Sequence, residues 1–338
     1  MEDKNPTLEQ YLPIINVCLL ILSGVALTAF LVYTKTVLMP FVIAVFISMV
    51  SNTFATWMKE KWRVPRMLGL VLAVMVVLAF AGVTIMFVSN ALTTFMNGAS
   101  GYAEKISESL TWAVAIAQKA GFKINQNFIG EYIANIPAVN IVTAMGGWLL
   151  SLFTTLSLVS LFVIFIFMGH AAQDNPFLSN IERQISKYLM IKFFVSLLAG
   201  GLTWIVLASA GVPLATTFAF LTFILNFIPN VGPFIATMLP IPVLFLHFGP
   251  MWQIPSILIT LIVIHFLVGN ILETKMLGKG MDLSPVVVIA SLIFWALVWG
   301  AMGALLAVPL TSVIKIILER SEPTKPLAQM LAGRLPFK

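Results

Sequence analysis

The stretch Asn226-Phe227-Ile228-Pro229-Asn230-Val231-Gly232-Pro233 lies in the middle of an apolar run from Val212 to Phe248. Two prolines and a glycine so close together stop a helix. A second apolar run, Val286 to Leu318, is interrupted at mid-length around Trp299-Gly300-Ala301-Met302-Gly303. Backbone broken inside a bilayer exposes N–H and C=O groups that lipid cannot satisfy. It is tolerated only where protein or a water-filled cavity covers it.

The composition puts these runs in a bilayer. Hydrophobic residues make up 60% of the 338 and charged residues 9%, against about a quarter charged in a soluble domain. Tyr11–Val32, Val37–Trp57, Met67–Val88, Trp148–Met168, Ile191–Ala210 and Gln253–Ile271 each approach the ~20 residues that span a bilayer. Glu2, Asp3 and Glu9 against Lys4 make no basic leader region, so the first run reads as a retained helix. Cys18, the one cysteine, reads as a small apolar residue of that helix. The expected fold class is therefore an all-α polytopic membrane protein. It has about six spanning helices, plus two re-entrant helical hairpins at the broken runs.

Charge sets the expected orientation. With a cytoplasmic N-terminus and both broken runs returning to their own side, only Lys35, Lys105, Lys119 and Lys123 of the 19 basic residues fall outside. That partition obeys the positive-inside rule and leaves both termini cytoplasmic. The net charge of +6 is then explained by basic loops beside anionic lipid headgroups, and no nucleic-acid partner is needed. A second topology turns each half of the first run into a span and the second run into one long span. Its half-spans of about 15 residues are short for the bilayer, which favours the hairpins. On the hairpin model, residues 191–248 recur in opposite orientation as 253–318, an inverted-topology repeat.

Three parts follow along the chain. Residues 1–88 carry three spans, and 89–147 form an extramembrane, periplasmic set of short amphipathic helices. Residues 148–338 hold the fourth span, the inverted repeat and a short cytoplasmic tail. Ser179-Asn180-Ile181-Glu182 reads as a capping box opening a cytoplasmic helix. That helix carries Ile181, Ile185 and Leu189 on one face, and is expected to lie along the inner membrane surface and run into the fifth span.

Paired interruptions in corresponding positions of two repeats point to the binding site of a secondary transporter. At the first tip, one half-helix ends near Asn226 with free carbonyls, and the next begins near Pro233 with free N–H groups. Asn226 and Asn230 add carboxamides; Pro229, Gly232 and Pro233 shape the turn. Such a site suits a small polar, hydroxyl-rich or mildly anionic solute. At the second tip, Trp299, Gly300 and Gly303 complete the candidate substrate-binding set, the glycines letting the hairpins approach closely. His265, Gly269 and Glu273 recur at four-residue spacing, with Asn270 beside them. Ionisable residues within spans are candidates for function. His265 and Glu273 are thus candidates for coupling transport to protons, although Glu273 could instead simply pair with Lys275. No zinc-hydrolase, nucleophile-elbow or phosphate-loop signature occurs. Neither an enzyme nor a cofactor or metal is expected, and the driving force falls to ion gradients.

Leu225-Asn226-Phe227-Ile228-Pro229-Asn230-Val231-Gly232 and Gly269-Asn270-Ile271-Leu272-Glu273 resemble signature stretches of the autoinducer-2 exporter family of bacterial inner-membrane transporters. So do Gly278–Pro285, Ser291-Leu292-Ile293-Phe294-Trp295 with Trp299-Gly300, and Val308-Pro309-Leu310-Thr311. Trp62-Arg63-Val64-Pro65-Arg66 is similar to a loop of members linked to export of the quorum signal itself. The resemblance runs over essentially the whole chain and implies a homo-oligomeric permease, a pentamer being the expected count. One departure is Thr274, where the family often has proline, which puts the end of that helix in doubt. The leading expectation is a gradient-driven exporter of autoinducer-2, a small hydroxylated quorum-sensing signal. Two alternatives stay open. One is a sodium–proton antiporter using His265 and Glu273; the other is a non-transporting scaffold acting through residues 89–147.

Overall fold

The computed structural model describes residues 8–62, parts of 71–90, 138–169, 176–249, 252–277 and 282–334. Every regular element among the described residues is helical. Helix α1 spans Leu8–Tyr33 and α2 Lys35–Trp62; α3 spans Ala138–Gly169 and α4 Pro176–Ser209. Then come α5 Ala215–Leu225, α6 Val231–Met238 and α7 Ile241–Phe248. The last are α8 Gln253–Leu277, α9 Pro285–Glu319 and α10 Lys325–Leu331.

Five of these helices are long and apolar enough to cross a membrane, and the chain is a multi-pass membrane protein. Its helices are built outside-in compared with those of a soluble domain. The buried side of α4 carries Ser186, Lys192, Ser196 and Thr203, while Phe193, Phe194, Leu197, Trp204 and Ile205 face outward. Only a lipid solvent makes that arrangement favourable. Helix α1 shows the same logic, with Ile21, Leu22, Val25 and Leu27 fully outward-facing.

Both broken runs fold back on themselves. In the first, Ala215 and Phe218 of α5 pack in one core with Leu244, joined by Val243 and Phe248 of α7. The reversal occurs at 226–230, where Asn230 takes φ 59° and ψ −43° and the Val231 N–H donates to the Pro229 carbonyl at 2.6 Å, a γ-turn that few residues adopt. A Cβ on Gly232 would collide with the Leu225 carbonyl, so only glycine allows so tight a return. Helix α6 begins at Val231, two residues before the expected start, which puts Pro233 in its first turn. There a missing N–H costs nothing.

The second reversal hides inside α9. Its 35 residues would make one long span if straight. Yet Trp295 Nε1 donates to Thr311 Oγ1 at 3.2 Å, although residues 16 apart lie about 24 Å apart along a continuous helix. Gly300 makes the break, with φ 66° and ψ −146°. The chain thus folds into two arms, 285–299 and 301–319. A Cβ on Gly303 would strike the Trp295 carbonyl. Gly303 therefore serves close approach within its own hairpin, where an approach between hairpins was expected; Gly300 has open space around it.

The remaining contacts fix the frame. Ala44 of α2 packs on Val159 and Val163 of α3, and Phe87 stacks on Phe220 of α5 with centroids 4.5 Å apart. Trp299 is buried and donates to the Leu31 carbonyl of α1 at 3.1 Å. Two expectations for α4 are corrected. It is one continuous helix from Pro176, so Ser179 lies within the first turn rather than capping it. The face of Ile181, Ile185 and Leu189 is covered by protein and not by lipid headgroups. It packs against Phe46 of α2 and Leu306 of α9, and Glu182 accepts a 2.7 Å hydrogen bond from Asn52. Protein contacts fill a stripe that the sequence leaves equally suited to lipid.

The span Met67–Val88 is described only in parts, and residues 91–137 of the expected outer segment lie outside the described residues. Helix α3 begins directly after Pro137, ten residues before the expected span. With Thr274 in place of proline, α8 runs on to Leu277.

Candidate functional site

The site is a cavity of about 340 Å³ between the first hairpin, α8 and α4. The hairpin supplies Pro229, Asn230, Pro233, Phe234, Thr237 and Met238. Helix α8 supplies Ile262, His265, Phe266, Gly269, Asn270 and Glu273, and α4 supplies Lys192. Aromatic and aliphatic walls with a few convergent polar groups are the usual make-up of a small-solute site.

The regular helix of α8 gives way to a π-helical turn at Leu267–Leu272, around Gly269 and Asn270. Such turns cluster at functional sites, and here the geometry says why. In an unbroken α-helix, positions eight apart point about 80° apart. A π turn absorbs one residue and cuts that to about 20°. His265 and Glu273 thereby line the same cavity. Gly269 faces the hairpin: a Cβ there would meet Pro233 Cγ at 4.0 Å, an ordinary contact, so the approach does not itself demand glycine.

His265 is clamped on both sides. Thr237 gives its single hydroxyl proton to the Pro233 carbonyl at 2.9 Å, so it must accept from His265 Nδ1–H, 2.8 Å away. In the neutral ring the other nitrogen, Nε2, accepts from Thr203 Oγ1 of α4 at 3.3 Å. A neutral imidazole satisfies both bonds and ties hairpin, α8 and α4 together.

Glu273 pairs with Lys192 of α4 at 2.6 Å rather than with its neighbour Lys275. The lysine side chain is 2% exposed and the glutamate 13%. Removing one partner of so buried a pair typically costs 3–5 kcal/mol, because the other is left as an uncompensated charge.

The candidate binding residues separate into two groups. Pro229, Asn230, Pro233 and Asn270 line the cavity together with the coupling candidates His265 and Glu273. Asn226 does not: it is 2% exposed and donates to Ser196 Oγ of α4 at 3.0 Å. Gly232 sits behind the wall as the close-approach residue. Trp299, Gly300 and Gly303 belong to the second hairpin and do not line the cavity; Trp295 and Trp299 pack with Val298 and Ala307.

Lys192, Thr203 and Thr237 are the residues that sequence reasoning missed. Lys192 counts naturally as a cytoplasmic-side basic residue, but its spacing carried a signal. Lys192, Ser196 and Thr203 fall on one face of the span, and a polar stripe on a lipid-bound helix must face a partner.

Fold and site together define a membrane transport protein: helices with lipid-facing apolar sides enclose a small, largely apolar cavity with a few convergent polar groups at broken backbone. The sequence model of the AI-2E family transporters matches residues 19–322, and the chain belongs to that family. "AI-2 transport protein TqsA" of Escherichia coli (strain K12) is 29% identical over 313 residues, covering 89% of this chain and 90% of that protein. A Haemophilus influenzae protein named "Putative transport protein" is 29% identical over an alignment of 359 positions, 99% of each chain. The transport protein YhhT of E. coli (strain K12) is 26% identical over 313 residues, 89% of each.

Proposed function

We propose that the protein exports a small polar signal, autoinducer-2, across the bacterial inner membrane by alternating access. The observation that carries this reading is the composition of the cavity. Asn230 at the hairpin tip and Asn270 in the π turn offer two carboxamides across a space of about 340 Å³. Each amide both donates and accepts, which matches a small hydroxylated solute better than an apolar or bulky one. The relative named for AI-2 transport, alike over 89% of this chain, supports the choice of cargo.

On this reading both hairpins are re-entrant and form an inverted repeat, 191–248 against 253–318, and the permease works as a homo-oligomer. The first hairpin moves against α8 to open the cavity alternately to each side. His265 and its two threonines hold the three elements in register between movements. A proton or sodium gradient supplies the driving force.

Efflux of labelled autoinducer-2 from proteoliposomes, with and without an imposed pH gradient, tests the proposal. Gradient-dependent efflux that falls at least fivefold in Asn230→Ala and Asn270→Ala is expected. Absence of efflux from folded protein would reject this cargo.

A further inference from the structure

We propose that Lys192 and Glu273 form a charge-neutral selectivity filter, so that the cavity accepts uncharged polyhydroxylated solutes and rejects ions of either sign. The inference rests on reading the cavity as a solute-binding site and narrows what that site takes. Lys192 and Glu273 are the formally charged groups among the cavity's described lining residues, and they stand 2.6 Å apart. In its neutral form, which satisfies both threonine partners, His265 adds no charge.

The pair is not saturated. Among the described residues Lys192 gives Glu273 one of three ammonium N–H groups, leaving two donors, and the carboxylate keeps unused lone pairs. A hydroxyl placed there can accept from the ammonium and donate to the carboxylate at once, with no change in net charge. An anion at the same place meets an ammonium already neutralised and a carboxylate of like sign. A cation meets the reverse. With Lys192 2% exposed, water screens these repulsions weakly.

Removing one charge at a time should therefore swap selectivity. Glu273→Gln leaves a lone ammonium, which favours anions; Lys192→Met leaves a lone carboxylate, which favours cations. The test is flux through proteoliposomes at zero membrane potential, using labelled ribitol, ribonate and 1-amino-1-deoxyribitol, a matched neutral, anionic and cationic series. In the wild-type protein ribitol should outrun both ions at least tenfold. Glu273→Gln should raise the ribonate-to-ribitol ratio tenfold or more, and Lys192→Met the aminoribitol-to-ribitol ratio likewise. The charge-swapped Lys192→Glu/Glu273→Lys protein should return ribitol to first place.

Unchanged ratios across all variants, or no flux of any probe in any of them, would overturn the proposal. Where a single variant does not fold, the wild-type series decides, and parity among the three probes overturns it. Autoinducer-2 efflux measured in the same vesicles separates the two readings. Filtering without autoinducer-2 efflux sinks only the cargo, whereas efflux without filtering sinks only the filter.

Discussion

Two asparagines four positions apart in one turn have opposite fates, and the difference is the clearest lesson at the residue scale. Asn226 turns into the α4 interface and bonds Ser196, whereas Asn230 faces the cavity. Asn226→Ala should lose about 1–3 kcal/mol of stability through the unpaired serine and lost bond, with cargo affinity little changed. Asn230→Ala should lower affinity severalfold, which Asn226→Ala does not, and should also lose about 1 kcal/mol because alanine takes the φ of 59° poorly. Thermal unfolding and solute binding on the two purified variants would separate them. The sequence marked both residues as unusual in an apolar run but could not tell them apart. Which way a tip residue points depends on Asn230 taking a positive φ and on what α4 offers opposite. The polar stripe of Lys192 was readable, but not its partner: Glu273 is 81 positions away in the chain, and pairing across that separation exists only once α4 and α8 pack. The Lys192→Met/Glu273→Gln double variant should be more stable than either single one, because neither charge is then left alone; chemical denaturation checks the order.

At the scale of elements, the broken runs were legible because local chemistry dictates them. Proline and glycine in mid-run forbid a straight helix wherever the segment packs. The sequence also signalled the second break, yet its consequence needed the structure. A hydrogen bond between Trp295 and Thr311 distinguishes a fold-back from a kink. Gly300→Ala places a side chain at φ 66° and should cost about 1–2 kcal/mol. Gly303→Ala drives a methyl into the Trp295 carbonyl, and should cost more than Gly300→Ala and lower the yield of folded protein. Thermal melts that ranked the two the other way would contradict this account of the second hairpin. The π turn in α8 could not be read from sequence. Gly269-Asn270 weakens the α-helix locally, but choosing a wider turn over a kink is settled by the hairpin that packs on it.

For the whole molecule, composition alone identified a polytopic helical membrane protein, and the structure and family agree on that much. Mean hydropathy of +1.02 leaves no soluble alternative. How many times the chain crosses is a matter of the hairpins, and it can be measured directly. With Cys18 replaced, single cysteines at Val286 and Glu319 should react with an impermeant thiol reagent from the same side of the membrane if the second hairpin is re-entrant. Reaction from opposite sides would make it a crossing pair. The surface of α4 was misread at this scale because an apolar stripe looks the same whether it meets lipid or another helix. The central claim is that solute occupies the cavity between the first hairpin and α8, and protection from chemical labelling tests it most directly. Single cysteines would be placed at Phe266, in the cavity wall, and at Met302, exposed near the second tip. Saturating autoinducer-2 should slow maleimide reaction at position 266 at least fivefold and leave position 302 unchanged. Equal rates at position 266 with and without solute, in protein that still exports it, would contradict the account.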